Sequence, residues 1–150
     1  MMKIVIILLA SAFGRHIRRA VELYSMSGRH VTITGSSLGS TWSTNSDYAQ
    51  LDFVPIEKGH FLIRGIKTGK YIQSKGRRLR LTTDPALAAR FHEEIMDNKF
   101  NKYVTQNDKV LRITSKGKLR IRNNAKQGRS ISFLPRKTHT KSHFSTGQRL

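Results

Sequence analysis

From Val21 onwards the sequence is punctuated too often for helices. Short apolar runs are broken by Gly, Ser, Asn and Lys. No stretch sustains the period of about 3.6 residues that an amphipathic helix needs. What survives is alternation, which sends apolar side chains to one face of a strand. Strands are predicted around Val21–Tyr24, His30–Thr34, Gln50–Val54, Phe61–Arg64, Lys70–Gln73, Arg78–Leu81, Ala89–Ile95, Lys102–Thr105, Val110–Ile113, Leu119–Ile121 and Ile131–Leu134. Short strands at a spacing of roughly ten residues point to an all-β barrel or sandwich. Asp84–Ala89 is the one helix-like fragment, and it is short enough to be a turn.

A repeat narrows the choice. Phe53, Phe91 and Phe133 close three comparable segments at spacings of 38 and 42 residues, and Val31-x-Ile33, Ile72 and Leu111-x-Ile113 open them. Three units of about forty residues match a β-trefoil, in which no unit buries its apolar face without the other two. Alternating strands resemble one another easily, so chance also produces such a pattern.

Lys109 to Arg129 is the most distinctive stretch. It holds Lys109, Arg112, Lys116, Lys118, Arg120, Arg122, Lys126 and Arg129 and no acidic residue. Val110, Leu111-Arg112-Ile113 and Leu119-Arg120-Ile121-Arg122 alternate around Ser115-Lys116-Gly117-Lys118, where Gly117 can supply the positive φ of a hairpin turn. The pattern predicts a β-hairpin with a buried underside and a cationic outer face. A net charge of +19 over 150 residues makes the same demand of the whole chain. A field of that size implies an anionic partner: nucleic acid, acidic membrane or sulfated polysaccharide. The alternative for the hairpin is a merely solvated polar face, although a like-charge cluster repels itself unless something neutralises it.

Other chemistries find little support. No cysteine is present, so neither disulfides nor thiolate metal sites form. His139 and His143 are the only close histidine pair, in a polar tail where solvation is the expected state, so no metal ligand and no cofactor is assigned. The nine acidic residues show no arrangement for acid/base work, and no nucleophile, base and orienting group can be picked out. Gly65, Gly69 and Gly76 lack the patterns of phosphate-binding loops. The chain is not expected to be an enzyme.

Residues 1–13 begin with Lys3, continue through Ile4-Val5-Ile6-Ile7-Leu8-Leu9 and end in Ala10-Ser11-Ala12. That is the form of a secretory signal peptide cleaved near Ala12 to Gly14, with a buried first strand as the alternative. The apolar run is too short for a membrane-spanning helix, so no membrane insertion is expected after cleavage. Residues 14–20, with Arg15, Arg18 and Arg19, then form a basic arm.

Several motifs together carry a family resemblance. Phe61-Leu62-Ile63-Arg64-Gly65-Ile66-Lys67-Thr68-Gly69-Lys70-Tyr71-Ile72 is similar to the sixth-strand region of fibroblast growth factors, and Thr83-Asp84-Pro85, Phe91-His92-Glu93 and Phe100-Asn101-Lys102-Tyr103 follow in the family's order. Gly128-Arg129-Ser130-Ile131-Ser132-Phe133-Leu134-Pro135 resembles its closing signature, and Glu22-Leu23-Tyr24-Ser25-Met26-Ser27-Gly28 its first strand and turn. The resemblance runs from about Leu23 to Arg136. It implies a β-trefoil over residues 21–136, followed by a basic tail, 137–150, with the composition of a disordered extension. It also implies secretion, binding of heparan sulfate and activation of a receptor tyrosine kinase with immunoglobulin-like domains.

Carried over residue by residue, the heparan sulfate positions are Lys116, Lys118, Arg120, Lys126 and Arg129, with Arg122 added. Convergent Arg and Lys side chains suit sulfates, Arg as a planar fork and Lys as a point charge. The receptor positions are Tyr24, Phe100 and Leu134 as an apolar patch and Glu93 and Asn101 as polar contacts. A core role is the alternative for the aromatic residues, and Tyr103 reads as core. The sequence also departs from the family. Ala89 replaces a common cysteine, and Arg90 an apolar residue. Arg136 stands where a hydrophobic residue often completes the receptor patch, and Arg122 where a glycine opens a loop that here is about one residue short. The competing reading is an intracellular basic protein that binds nucleic acid or a non-receptor partner. No RNA-binding motif or aromatic stacking platform supports it, so no nucleic acid is expected.

Overall fold

The computed structural model describes residues 19–138. The segment read as a signal peptide, residues 14–18 of the basic arm, His139, His143 and the tail beyond Thr138 lie outside the described residues. Alternation becomes strand almost wherever it occurs. The strands are β1 (Arg19–Ser25), β2 (His30–Ile33), β3 (Leu38–Thr41), β4 (Leu51–Pro55), β5 (Phe61–Gly65) and β6 (Tyr71–Lys75). They continue as β7 (Arg78–Thr82), β8 (Phe91–Ile95), β9 (Asn101–Thr105), β10 (Lys109–Ile113), β11 (Leu119–Asn123) and β12 (Phe133–Lys137).

The pairings close a ring. β1 pairs with β4, β4 with β5, β5 with β8, β8 with β9, β9 with β12 and β12 with β1, all antiparallel. A closed barrel removes the exposed edges that an open sheet leaves. The hairpins β2–β3, β6–β7 and β10–β11 stand outside the ring and touch one another across one end of it. A six-stranded barrel with three such hairpins is a β-trefoil.

The repeat has a sharper register than the phenylalanine spacing suggests. Val21 pairs with Leu51, Phe61 with Phe91 and Asn101 with Phe133, which makes Leu51 the counterpart of Phe91 and Phe133. Phe53 sits two residues further along β4 and stacks on Phe61, its ring centroid 4.5 Å away. The opening positions Val31, Ile72 and Leu111 do correspond, and all three are fully buried.

One strand and several boundaries differ from the sequence reading. β3 holds a single large apolar residue, Leu38, so it carries no alternation; it forms because β2 offers it a partner, with Ile33 opposite Leu38 and His30 opposite Thr41. Ile131 belongs to a 3-10 turn, Arg129–Ile131, and β12 starts two residues later. Arg19 and Ala20 are the start of β1, opposite Phe53 and Asp52, and not part of an arm, while Lys137 ends β12. The Asp84–Ala89 fragment is a 3-10 turn at Pro85–Leu87, capped by the Asp84 carboxylate accepting from the Ala86 N–H at 2.9 Å.

Candidate functional site

The β10–β11 hairpin has the two faces that its alternation demands. Leu111 opposite Ile121 and Ile113 opposite Leu119 point into the barrel's hydrophobic core. On the other face Arg112 stands opposite Arg120, and Val110 opposite Arg122. Val110 departs from the expected exposed face: it is fully buried in a second apolar cluster with Met96, Val104 and Ile131, roofed by the chain between β11 and β12.

The hairpin turn closes through Gly117 N–H donating to Thr114 O at 2.9 Å, with Gly117 at φ 82. Glycine adopts that backbone without strain. A Cβ there would meet the Arg29 guanidinium and the Ser40 hydroxyl, which would have to move aside. Ser40 Oγ donates to Gly117 O at 2.6 Å, so β3 holds the turn in place. Arg29, between β1 and β2, rests its guanidinium 4.1 Å from the centroid of the Trp42 ring. Lys116, Lys118, Arg120 and Arg122 are exposed along this hairpin, and the cap adds Arg29 beside it. Arg29 lies far from this stretch in sequence; only the contact between hairpins reveals it.

Lys126 and Arg129 are exposed on the loop that follows. That loop is tied down from below. The buried Lys102 ammonium donates to Asn124 Oδ1 at 2.9 Å and to Ala125 O at 2.8 Å, with the Glu94 carboxylate at 3.6 Å. Gln127 Nε2 donates to Asp97 Oδ2 at 2.8 Å, and Ser132 Oγ to Gly128 O at 2.6 Å. Asn124 Nδ2 donates to Asp108 Oδ1 at 2.9 Å. The loop after β11 is thus an anchored segment that holds up two cations, and Arg122 precedes it within the strand.

The residues matched to receptor contacts fall in three places. Tyr24 and Leu134 are cross-strand neighbours on β1 and β12, both half-buried on the barrel's outer wall. Arg136 lies over Tyr24, its guanidinium 3.8 Å from the centroid of the ring. Phe100 is half-buried against the second apolar cluster. Glu93 and Asn101 share the face of Tyr103 and Phe133, at the barrel mouth. There Glu93 Oε2 accepts from Tyr103 O–H at 2.8 Å and from Asn101 Nδ2 at 3.4 Å, while Oε1 accepts from Arg19 at 2.9 Å. Arg19 also lies 5.0 Å from the centroid of the Phe53 ring. Burial, reinforced by the Glu93 charge, pushes the Tyr103 phenol well above its ordinary value. Tyr103 is fully buried.

Among the described residues no helix is long and apolar enough to cross a membrane. The family model described as fibroblast growth factor matches residues 19–144. No curated protein matches the chain.

Proposed function

We propose, for a chain that belongs to the fibroblast growth factor family, that it acts outside the cell as a growth factor, binding heparan sulfate and activating a fibroblast growth factor receptor tyrosine kinase. A growth-factor role is what the family supplies, and its members are signalling ligands, not enzymes. The observation that carries the finer reading is the cationic surface of the β10–β11 hairpin and its loop, a stretch that holds no acidic residue of its own. Lys116, Lys118, Arg120, Arg122, Lys126 and Arg129 are all exposed there, on a backbone pinned by Ser40 and Lys102. A backbone already held in place adds no loop-ordering cost when a sulfated chain binds, so more of each charge-assisted bond is kept as affinity.

The receptor half of the proposal rests on Tyr24, Leu134 and Phe100 as apolar anchors. Few residues carry most of an interface's binding energy, and aromatic anchors are favoured among them. Glu93 and Asn101 support it from the barrel mouth, with a side-chain exposure of 24% leaving the Glu93 carboxylate within a partner's reach. The leader-like sequence of residues 1–13 supports secretion.

The test is receptor phosphorylation on responsive cells, with purified protein added with and without heparin. Heparin-dependent phosphorylation is expected. Retention on heparin without phosphorylation at any dose would remove the receptor half and leave the polyanion half standing. Passage through a heparin column at physiological salt would remove the other half.

A further inference from the structure

A second basic feature lies on the flank of the hairpin cap. The turn between β6 and β7 brings Arg77 towards β11, and Arg77, Lys109, Arg112, Arg122 and Asn123 line a groove of about 470 Å³ together with Ile121. No carboxylate lines it. The Lys109 ammonium donates to the Asn123 amide oxygen. Arg112 has no such relief: its Nε is buried and has no acceptor among the described residues. Its cross-strand neighbour is another guanidinium, Arg120. Like charges directly opposite each other weaken a sheet, and a buried donor without an acceptor carries its full desolvation cost. The contrast with Lys102 is informative. That buried cation finds Asn124, Ala125 and Glu94, so this fold satisfies a cation whose role is structural.

We propose that the groove is a binding site for a compact ligand bearing clustered phosphate or sulfate groups, centred on Arg77 and Arg112 and meeting the extended face of Lys116, Lys118 and Arg129 only at Arg122. Tetrahedral oxyanions match guanidinium forks two oxygens at a time, and a multiply charged group neutralises the mutual repulsion of four cations. A bounded concavity suits a small polyanion, whereas a long polymer needs only a surface. A single apolar lining residue, Ile121, leaves little for a neutral ligand.

The experiment is calorimetric titration of the full chain at physiological ionic strength with myo-inositol hexakisphosphate and, separately, with a fully sulfated heparin disaccharide. Saturable binding of one ligand per chain is expected, and the tighter of the two identifies phosphate or sulfate as the source. Arg77→Gln and Arg112→Gln should each weaken it about tenfold, the effect of one charge-assisted bond. A control carrying Lys116→Gln, Lys118→Gln and Arg129→Gln removes more charge yet should bind the small ligand nearly as the parent does. Arg77 is exposed in a turn, so its substitution leaves folding aside. The proposal is overturned if neither ligand saturates, or if the control loses more affinity than the groove variants. Retention on immobilised heparin reads chiefly the other face: the control should lose most of it and the groove variants little, which distinguishes the two sites.

Discussion

Tyr103 shows how one side chain can serve the barrel twice. Its ring packs between Phe53, Phe61 and Phe133, while its hydroxyl reaches the Glu93 carboxylate at 2.8 Å. Burial raises the phenol above its unfolded value near 10, so the folded state holds this proton more tightly than the unfolded chain does. The associated stability is fully present below about pH 10 and is lost as pH rises beyond it. Tyr103→Phe should therefore be less stable than the parent at pH 7 by about 1 kcal/mol, the net value of one hydrogen bond. The gap should close, or reverse, as the solution is taken above the unfolded phenol's range. Urea unfolding across alkaline pH checks this. A difference between the two proteins that stays constant with pH contradicts the assignment. Glycine at 117 gives a second residue-scale case. Gly117→Ala meets both a positive φ and the Arg29 guanidinium, and should cost on the order of 1–3 kcal/mol in thermal or urea unfolding. Stability equal to the parent's would mean the turn relaxes at no cost.

At the scale of the element, the loop from β11 to β12 depends on a cation from a neighbouring strand. Lys102→Met keeps the aliphatic stem but leaves Asn124 Oδ1 and Ala125 O without their donor. A loss of about 1–3 kcal/mol is expected from the abandoned acceptors. Amide exchange should quicken at residues 124–129 before it does in β9. Unchanged protection there would show that Gln127 and Ser132 suffice to hold the loop. The same dependence explains what the sequence could and could not disclose. The alternation of β10 and β11 and the glycine of their turn were legible, because period and turn chemistry are local. The burial of Val110 was not, because its cover comes from a loop whose anchor is Lys102. β3 escaped for a similar reason, since Leu38-Gly39-Ser40-Thr41 has no pattern of its own and takes its structure from β2. Phe53 matches Phe91 and Phe133 in residue type but not in register. Leu51, two residues away, pairs as they do. The cationic stretch itself was plain in the sequence, while Arg29 and Arg77 join it only through the packing of separate hairpins.

For the whole molecule, charge opposes folding while geometry decides binding. Lys and Arg number 28 against nine Asp and Glu, and compaction brings like charges together. The unfolded chain carries those same cations, so a polyanion gains nothing from folding unless the fold gathers some of them. Binding to the native state alone raises stability by about 2.7 kcal/mol at a ligand concentration one hundred times Kd. Binding to both states raises it less. Heparin should therefore raise the melting temperature of the parent in a saturable way. Replacing Lys118, Arg120 and Arg129 together by Ala removes three of the 28 cations. A diffuse field would lose a minor share of the heparin effect, whereas a folded site would lose most of it. Melting curves of the two proteins over a heparin series distinguish these outcomes. A shift that shrinks only in proportion to the charge removed refutes a localised site. Phe100→Ala with Leu134→Ala supplies the complementary case: both side chains are half-buried and apolar and neither removes a cation, so binding to the proposed receptor should fall while the heparin shift persists. Loss of both responses would place the two side chains in the structural core, since an unfolded domain gathers neither cations nor anchors.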